Sequence, residues 1–361
     1  MPKEADRYAR QRILPGFGET AQAALGAARV LVIGAGGLGS SVIPALAAAG
    51  VGTIGIIDDD TVEASNLHRQ LIHGVADIGD GKVASAARTV AALNPAVVVE
   101  QHIERLGTGN ALELFARYDL VLDGSDNFVT RYLANDAAAL IGIPLVWGAV
   151  SQYGGQVGVA WAARGPHYRD LFPAPPPPGS VLTCAVGGVL PTVCAVIGSI
   201  MATEAIKITT GIGEPLIGAV TTFDALTGGF RELRYASDPE AEPIRGLVDY
   251  EAFCGVVTTM AAVTATDLAA EPDRPVLLDV REPWEAAIAS LGNSVLIPLG
   301  ELGERLGELD PDAPTVVYCH HGMRSAIALG ILEANGFTNA RHLDGGIDTW
   351  ARTVNPTIAR Y

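Results

Sequence analysis

Apolar residues fall in short unbroken runs separated by glycine-rich turns and by longer stretches where they recur at helical spacing. Residues 29–33 (Arg-Val-Leu-Val-Ile) form one run and 53–57 (Thr-Ile-Gly-Ile-Ile) another, and segment 38–49 between them has the make-up of a helix. A run of this kind bounded by turn signals predicts a strand buried on both faces, and strand, helix, strand predicts a parallel pair. Runs at 120–122 and 144–149, separated by helical patterns such as 82–93, predict later strands of the same sheet. The fold class expected is α/β, with a Rossmann-like doubly wound domain first. The pattern restarts near residue 256, where strands at 276–280 and 315–318 and a helix at 325–335 predict a second, smaller α/β domain.

Two breaks interrupt these patterns. Between residues 164 and 184 stand Pro173, then Pro175 to Pro178 and Gly179, which cannot continue a helix or an inner strand and predict an exposed loop. Residues 237–255, with Pro239, Pro243 and several acids, read as an interdomain linker, so the expected division is 1–236, a linker 237–255, and 256–361. No internal repeat occurs at solenoid periods. The uncharged stretches 30–57 and 184–203 are long enough for a membrane span, but the first is broken by glycines and Pro44. The second contains Gly187, Gly188 and Pro191 and runs into Glu204 and Lys207, so a buried helix is the expectation.

Charge then narrows the partners. The 361 residues are 49% apolar and 18% charged, the balance of an ordinary globular chain, and carry a net charge of −16. Without a basic patch that excess repels nucleic acid and anionic membranes, and neither is expected as a partner. The four cysteines (Cys184, Cys194, Cys254, Cys319) make no disulfide framework, and residues 1–12 lack the apolar core of a signal peptide, so a cytoplasmic location is expected.

The candidate chemistry begins at Gly34-Ala35-Gly36-Gly37-Leu38-Gly39, between a strand and a helix. Small residues there, with Gly34, Gly36, Gly37 and Gly39 as the glycines, let backbone amides approach phosphate, and the helix N-terminus favours negative charge. Asp58, at the end of the next strand, is placed to bind ribose hydroxyls. These features alone also fit a dehydrogenase. The run from Asp58 through Asn66, Arg69 and Gln70, then Lys82, then Asp123-Gly124-Ser125-Asp126-Asn127 points instead to a triphosphate, whose larger charge calls for cations and a metal-binding carboxylate.

Those residues, with Arg7-Tyr8-Ala9-Arg10-Gln11, make residues 4–235 resemble the MoeB and ThiF family of ubiquitin-activating-type adenylyltransferases. The resemblance implies ATP as cosubstrate, with Arg10, Arg69 and Lys82 as cations, Asn66 and Asn127 at the nucleotide, and Asp126 as the Mg²⁺ ligand. It also implies a homodimer in which Arg10 reaches the partner's nucleotide. The plainer readings are a strand-end cap for Asp126 and a capped, solvated helix start for Asn66 and Arg69; Arg131 fits a nucleotide contact or a structural role equally. Cys184 stands where relatives carry a loop cysteine that attacks an acyl disulfide, although a small buried residue at a helix start is the alternative. Cys194 reads as core. Many relatives bind a structural zinc through two C-x-x-C pairs; here His167 and Asp170 occupy the first pair and no cysteine marks the second, so no structural zinc is expected. Fusions of the MoeZ type share this loss and the phrase 249–255, which makes Cys254 structural rather than catalytic.

The C-terminal segment resembles a single rhodanese domain through Leu278-Asp279-Val280-Arg281-Glu282-Pro283, Cys319-His320-His321-Gly322-Met323-Arg324-Ser325 and Leu343-Asp344-Gly345-Gly346-Ile347-Asp348-Thr349-Trp350. Cys319 lies between a strand and a helix, where amides, the helix dipole and Arg324 favour a persulfide anion. A cysteine phosphatase of related fold would have one more residue between cysteine and arginine. His320 and His321 are expected to shape the substrate mouth rather than bind metal. Joined, the two resemblances imply adenylation of the C-terminal Gly-Gly carboxylate of a ubiquitin-like sulfur carrier, followed by sulfur transfer from Cys319, with thiosulfate or a cysteine desulfurase as donor. The alternatives are an activating enzyme that passes a ubiquitin-like protein on as a thioester, and a non-catalytic carrier-binding scaffold.

Overall fold

The structure, a computed structural model, describes residues 7–176, 187–254, 261–272 and 274–361. It divides into a larger unit that ends at Cys254 and a smaller one that follows it.

In the larger unit the chain runs α1 (Ala9–Arg12), α2 (Gly18–Ala27), β1 (Arg29–Ile33), α3 (Gly39–Ala49), β2 (Thr53–Ile57), α4 (Lys82–Leu93), β3 (Val98–His102), β4 (Leu120–Asp123), α5 (Phe128–Ile141), β5 (Leu145–Ser151), β6 (Gly154–Ala160), α6 (Tyr168–Leu171), α7 (Pro191–Thr210), β7 (Ala219–Asp224), β8 (Gly229–Arg234) and α8 (Tyr250–Phe253). The sheet order is β3-β2-β1-β4-β5-β6-β7-β8, parallel through β5 and antiparallel beyond it. Both faces of the inner parallel strands β1, β2 and β4 are covered. Val30 and Val32 of β1 and Ile54 and Ile56 of β2 point into one core, whereas Leu31, Ile33 and Ile57 point into the other, as the two-residue period of a strand requires. Each such side chain contributes about 1.5–3 kcal/mol by leaving water.

The order of the strands reverses between β1 and β4, where a crevice opens beyond the strand ends. Ile33 pairs with Ile57 on one side and Asp123 on the other, so the loops after β1, β2 and β4 converge there. The helix α7 is long and apolar enough to cross a membrane by length and composition. Here its Val193, Cys194, Ile197 and Met201 line the core, and its buried Glu204 pairs with Lys207 and accepts the Leu216 amide at 2.8 Å.

Two sequence expectations need correction. Part of the stretch expected as an exposed loop is the helical turn α6, and its Tyr168 is buried against Trp147 and Tyr132. The end of the expected linker belongs to the larger unit, because Tyr250 on α8 is buried and donates to Asp136 at 2.7 Å, a carboxylate also gripped by Arg169. Local composition registered the prolines and acids of both segments but not the aromatic anchors that bury them.

The smaller unit has five parallel strands in the order β11-β10-β12-β13-β9, where β9 is Ala262–Val263, β10 Val276–Asp279, β11 Val295–Leu296, β12 Thr315–Tyr318 and β13 Ala340–Leu343. The helices α9 (Pro283–Ile288), α10 (Met323–Ala334) and α11 (Gly346–Thr353) surround its site. Val316, Tyr318, Leu343 and Ile347 form part of its core.

Candidate functional sites

The loop after β1 is held by backbone contacts too close for any side chain. A Cβ on Gly39 would lie 2.1 Å from the Gly34 carbonyl oxygen, and one on Gly37 would lie 2.9 Å from Cys194 Sγ, so α7 packs directly beneath the loop. Gly34 and Gly36 complete the same turn. Ala35 is clamped on both sides. Its amide donates to Asp58 Oδ2 at 2.8 Å, and its carbonyl accepts from His73 Nε2 at 2.9 Å, with His73 Nδ1 2.8 Å from Ser85 Oγ. Burial lowers the pKa of His73, which leaves a neutral ring with its proton on Nε2, facing the carbonyl. Because C=O and N–H of a trans peptide point in opposite directions, this grip turns the Gly36 amide away from His73. His73 was not singled out in the sequence, where one histidine among polar residues carries no signal.

Asp58 also accepts the Asp60 amide at 2.8 Å. Burial holds its carboxyl above the ordinary value, an effect that those amides and Lys82 offset only in part. Lys82 is itself buried and reaches Asp60 at 2.7 Å. Asn66, in the 3-10 turn Ala64–Asn66, is buried and accepts the Glu63 amide at 3.3 Å, which is the capping role of the plainer reading. Arg69 folds back to the Ser65 carbonyl at 3.2 Å. Arg10 is exposed on α1 and has no ion pair among the described residues.

After β4 the caps fall on the neighbours of Asp126. Asp123 accepts the Ser125 amide at 2.9 Å and Asn127 accepts the Thr130 amide at 2.8 Å to start α5, whereas Asp126 is exposed with no hydrogen bond among the described residues. Arg131 is buried and donates to the carbonyls of Ser125 at 3.0 Å and Gly148 at 3.3 Å, so it braces this loop from below. Among the described residues, buried Gln70 Oε1, Asp123 Oδ2 and Ser125 Oγ accept or donate no hydrogen bond of good geometry. All three stand within phrases noted in the sequence, yet burial, which composition cannot show, is what makes their unspent polarity notable.

In the smaller unit Cys319 is buried at the end of β12, and Sγ accepts the Gly322 amide at 3.1 Å and lies 3.7 Å from Ser325 Oγ. Gly346 of α11 packs so tightly on this loop that a Cβ would lie 2.5 Å from the Cys319 carbonyl oxygen. Arg324 makes a two-pronged pair with Glu285, 2.6 Å on each arm, so its charge is shared between that carboxylate and the neighbouring Cys319 thiol. Burial pushes Glu285 up, but Arg324, the Glu282 amide and Tyr361 outweigh it and hold the carboxyl below its ordinary value. The rings of His320 and His321 stack at 3.9 Å, face to face instead of converging on an ion.

His167 and Asp170 form the capping box of α6: Asp170 accepts the His167 amide at 2.7 Å and the His167 ring accepts the Arg169 amide at 3.2 Å. Cys254 is partly buried against the second core, and burial pushes its thiol up. Cys184 lies outside the described residues.

Comparison with known proteins matches residues 8–244 to the ThiF family and residues 264–353 to the rhodanese-like domain. A probable adenylyltransferase/sulfurtransferase MoeZ of Mycobacterium tuberculosis is 48% identical, over 99% of this chain and 96% of its own. A sulfur carrier protein adenylyltransferase of Thermus thermophilus is 51% identical over 70% of this chain and 98% of its own. Among solved structures, E. coli MccB superposes with a TM-score of 0.60 at 20% identity, covering 68% of this chain and 74% of that one, a likeness of fold.

Proposed function

Since the chain belongs to the ThiF family and carries a rhodanese-like domain, an adenylyltransferase and a sulfurtransferase in one polypeptide, we propose that it activates a Gly-Gly-tailed, ubiquitin-like sulfur carrier with ATP and then sulfurates it from Cys319. The observation that carries this reading is the clamped Ala35, which presents a loop of small residues at the reversal of the sheet beside Asp58, Lys82, Arg69 and Asp126.

In this reading the Gly36 and Gly37 amides and the start of α3 bind phosphate oxygens, Asp58 binds ribose hydroxyls, and Asn66 and Asn127 line the nucleotide. Lys82 and Arg69 offset the phosphate charge, and Arg10 does so across a homodimer. Asp126 suits Mg²⁺, because a hard carboxylate spared from capping is the kind of ligand that ion takes alongside phosphates and water. Bound there, the metal would spread charge on the phosphates. The carrier's terminal carboxylate attacks the α-phosphorus, an acyl-adenylate forms and pyrophosphate leaves.

The Cys319 thiolate takes the sulfane sulfur of thiosulfate, breaking its S–S bond and releasing sulfite, or takes sulfur from a cysteine desulfurase. Amides of the loop and of the α10 start, which lack intrahelical acceptors, stabilise the resulting anion. Its terminal sulfur attacks the acyl carbon and AMP departs. The thiol of Cys184 then attacks the acyl disulfide to release the thiocarboxylate, and a cellular thiol reduces the disulfide left behind. These steps belong to the cytoplasm.

Mass spectrometry of Gly-Gly-tailed carriers incubated with enzyme, ATP and thiosulfate tests the proposal. One carrier should gain the mass of sulfur in place of oxygen, with AMP formed in step. If no carrier leads to AMP, the reading fails.

A further inference from the structure

Tyr361, 38% exposed, lies beside the Cys319 loop through four contacts, two made by its ring and two by its hydroxyl. Its ring stacks on His320 at 4.2 Å with the planes 17° apart, and the edge of Trp284 meets it at 6.2 Å. Its hydroxyl accepts from Arg281 Nη1 at 2.7 Å and donates to Glu285 Oε1 at 3.2 Å.

Each of those partners leads to the sulfur site. Arg281 is fully buried, paired with Asp279 at the end of β10 and donating to the Ala289 carbonyl at 2.8 Å. Glu285 holds Arg324 at the start of α10. The hydroxyl thus joins two buried ion pairs into one chain, Asp279–Arg281–Tyr361–Glu285–Arg324, which ends beside the Cys319 loop. The neighbouring residue is tied down as well, since Arg360 donates to Asp348 at 2.8 Å, and the Asp348 amide donates to the His320 carbonyl at 3.1 Å.

We propose that Tyr361 is a positioning residue for sulfur transfer. Its ring fixes His320 and keeps water and small reductants off the Cys319 persulfide, while its hydroxyl holds the Glu285–Arg324 fork in place. A persulfide is lost when a thiolate attacks its outer sulfur or its Sγ, so an apolar wall over the loop lengthens its life without a new chemical step. The Arg281 contact is a part-buried hydrogen bond from a charged group, and removing its acceptor leaves a guanidinium N–H without its protein partner. The ring and the hydroxyl therefore make separable contributions.

This inference rests on the reading of Cys319 as sulfur carrier, and full-length protein tests it with Tyr361→Phe and Tyr361→Ala. Cys319 is loaded with thiosulfate, and persulfide decay in dithiothreitol is followed by mass spectrometry. The Ala variant should lose the persulfide about tenfold faster than wild type, whereas Phe, which keeps the ring, should retain the wild-type lifetime and show a raised KM for thiosulfate. Unfolding curves measured alongside give the folded fraction, and pyrophosphate exchange should be unchanged in both. Equal lifetimes for wild type and Ala, or a loss in Ala matched by its unfolded fraction, would overturn the proposal. A wild-type Cys319 that takes up no sulfane sulfur would instead defeat the sulfur-transfer reading itself.

Discussion

The Asp58 carboxylate accepts the amide hydrogen of Ala35 at 2.8 Å, which ties the end of β2 to the loop after β1. One residue therefore shapes the glycine-rich loop and also presents a carboxylate to the crevice. Hydrogen bonds to charged groups contribute about 1.5–3 kcal/mol, so Asp58→Ala should raise KM for ATP about ten- to a hundredfold in pyrophosphate exchange. Sulfur transfer assayed from thiosulfate to cyanide, which the proposal assigns to the other unit, should be unchanged. An unaltered KM would remove the tie from nucleotide binding.

Asp126→Ala should abolish carrier-dependent exchange of labelled pyrophosphate into ATP while sparing thiosulfate sulfurtransfer. Its carboxylate caps nothing among the described residues, so the variant should unfold at the same denaturant concentration as wild type. Retained exchange takes Asp126 out of the mechanism.

Cys319→Ala should leave adenylation intact and stop thiocarboxylate formation from thiosulfate. Mass spectrometry of the carrier distinguishes the outcomes, and continued thiocarboxylation would reassign the donor.

Gly37→Ala places a methyl 2.9 Å from Cys194 Sγ. Overpacking of this kind costs about 1–3 kcal/mol. In a Cys194→Ala background the nearest atom of residue 194 is its Cβ, at 3.5 Å, an ordinary contact. The penalty read from denaturant unfolding should shrink accordingly, and an equal penalty in both backgrounds would locate the strain elsewhere.

Burial, with the adjacent His321, lowers the pKa of His320 from 6.5 to about 4. A base whose folded pKa is depressed contributes stability that is present above its unfolded pKa and lost as pH falls through the folded one. The smaller unit should therefore weaken as pH drops from about 6.5 towards 4, and His320→Asn should flatten that slope in unfolding curves taken at several pH values. A slope unchanged by the substitution would assign the loss to other groups.

The sequence by itself determined what is local. Burial on both faces follows from unbroken apolar runs such as Arg29–Ile33, and small residues between a strand and a helix, like a cysteine in the same kind of setting, mark the candidate phosphate and thiolate sites. Such features depend on neighbours a few residues apart. Only the tertiary structure decided that His73 holds the Ala35 carbonyl across 38 positions, that Tyr250 carries the supposed linker onto Asp136 across 114, and that Arg324 answers to Glu285 across 39. Tyr361 reaches Glu285 across 76. Each is a polar group whose role is set by the partner that meets it once water is excluded, and partners so distant in the chain leave no period or spacing to read.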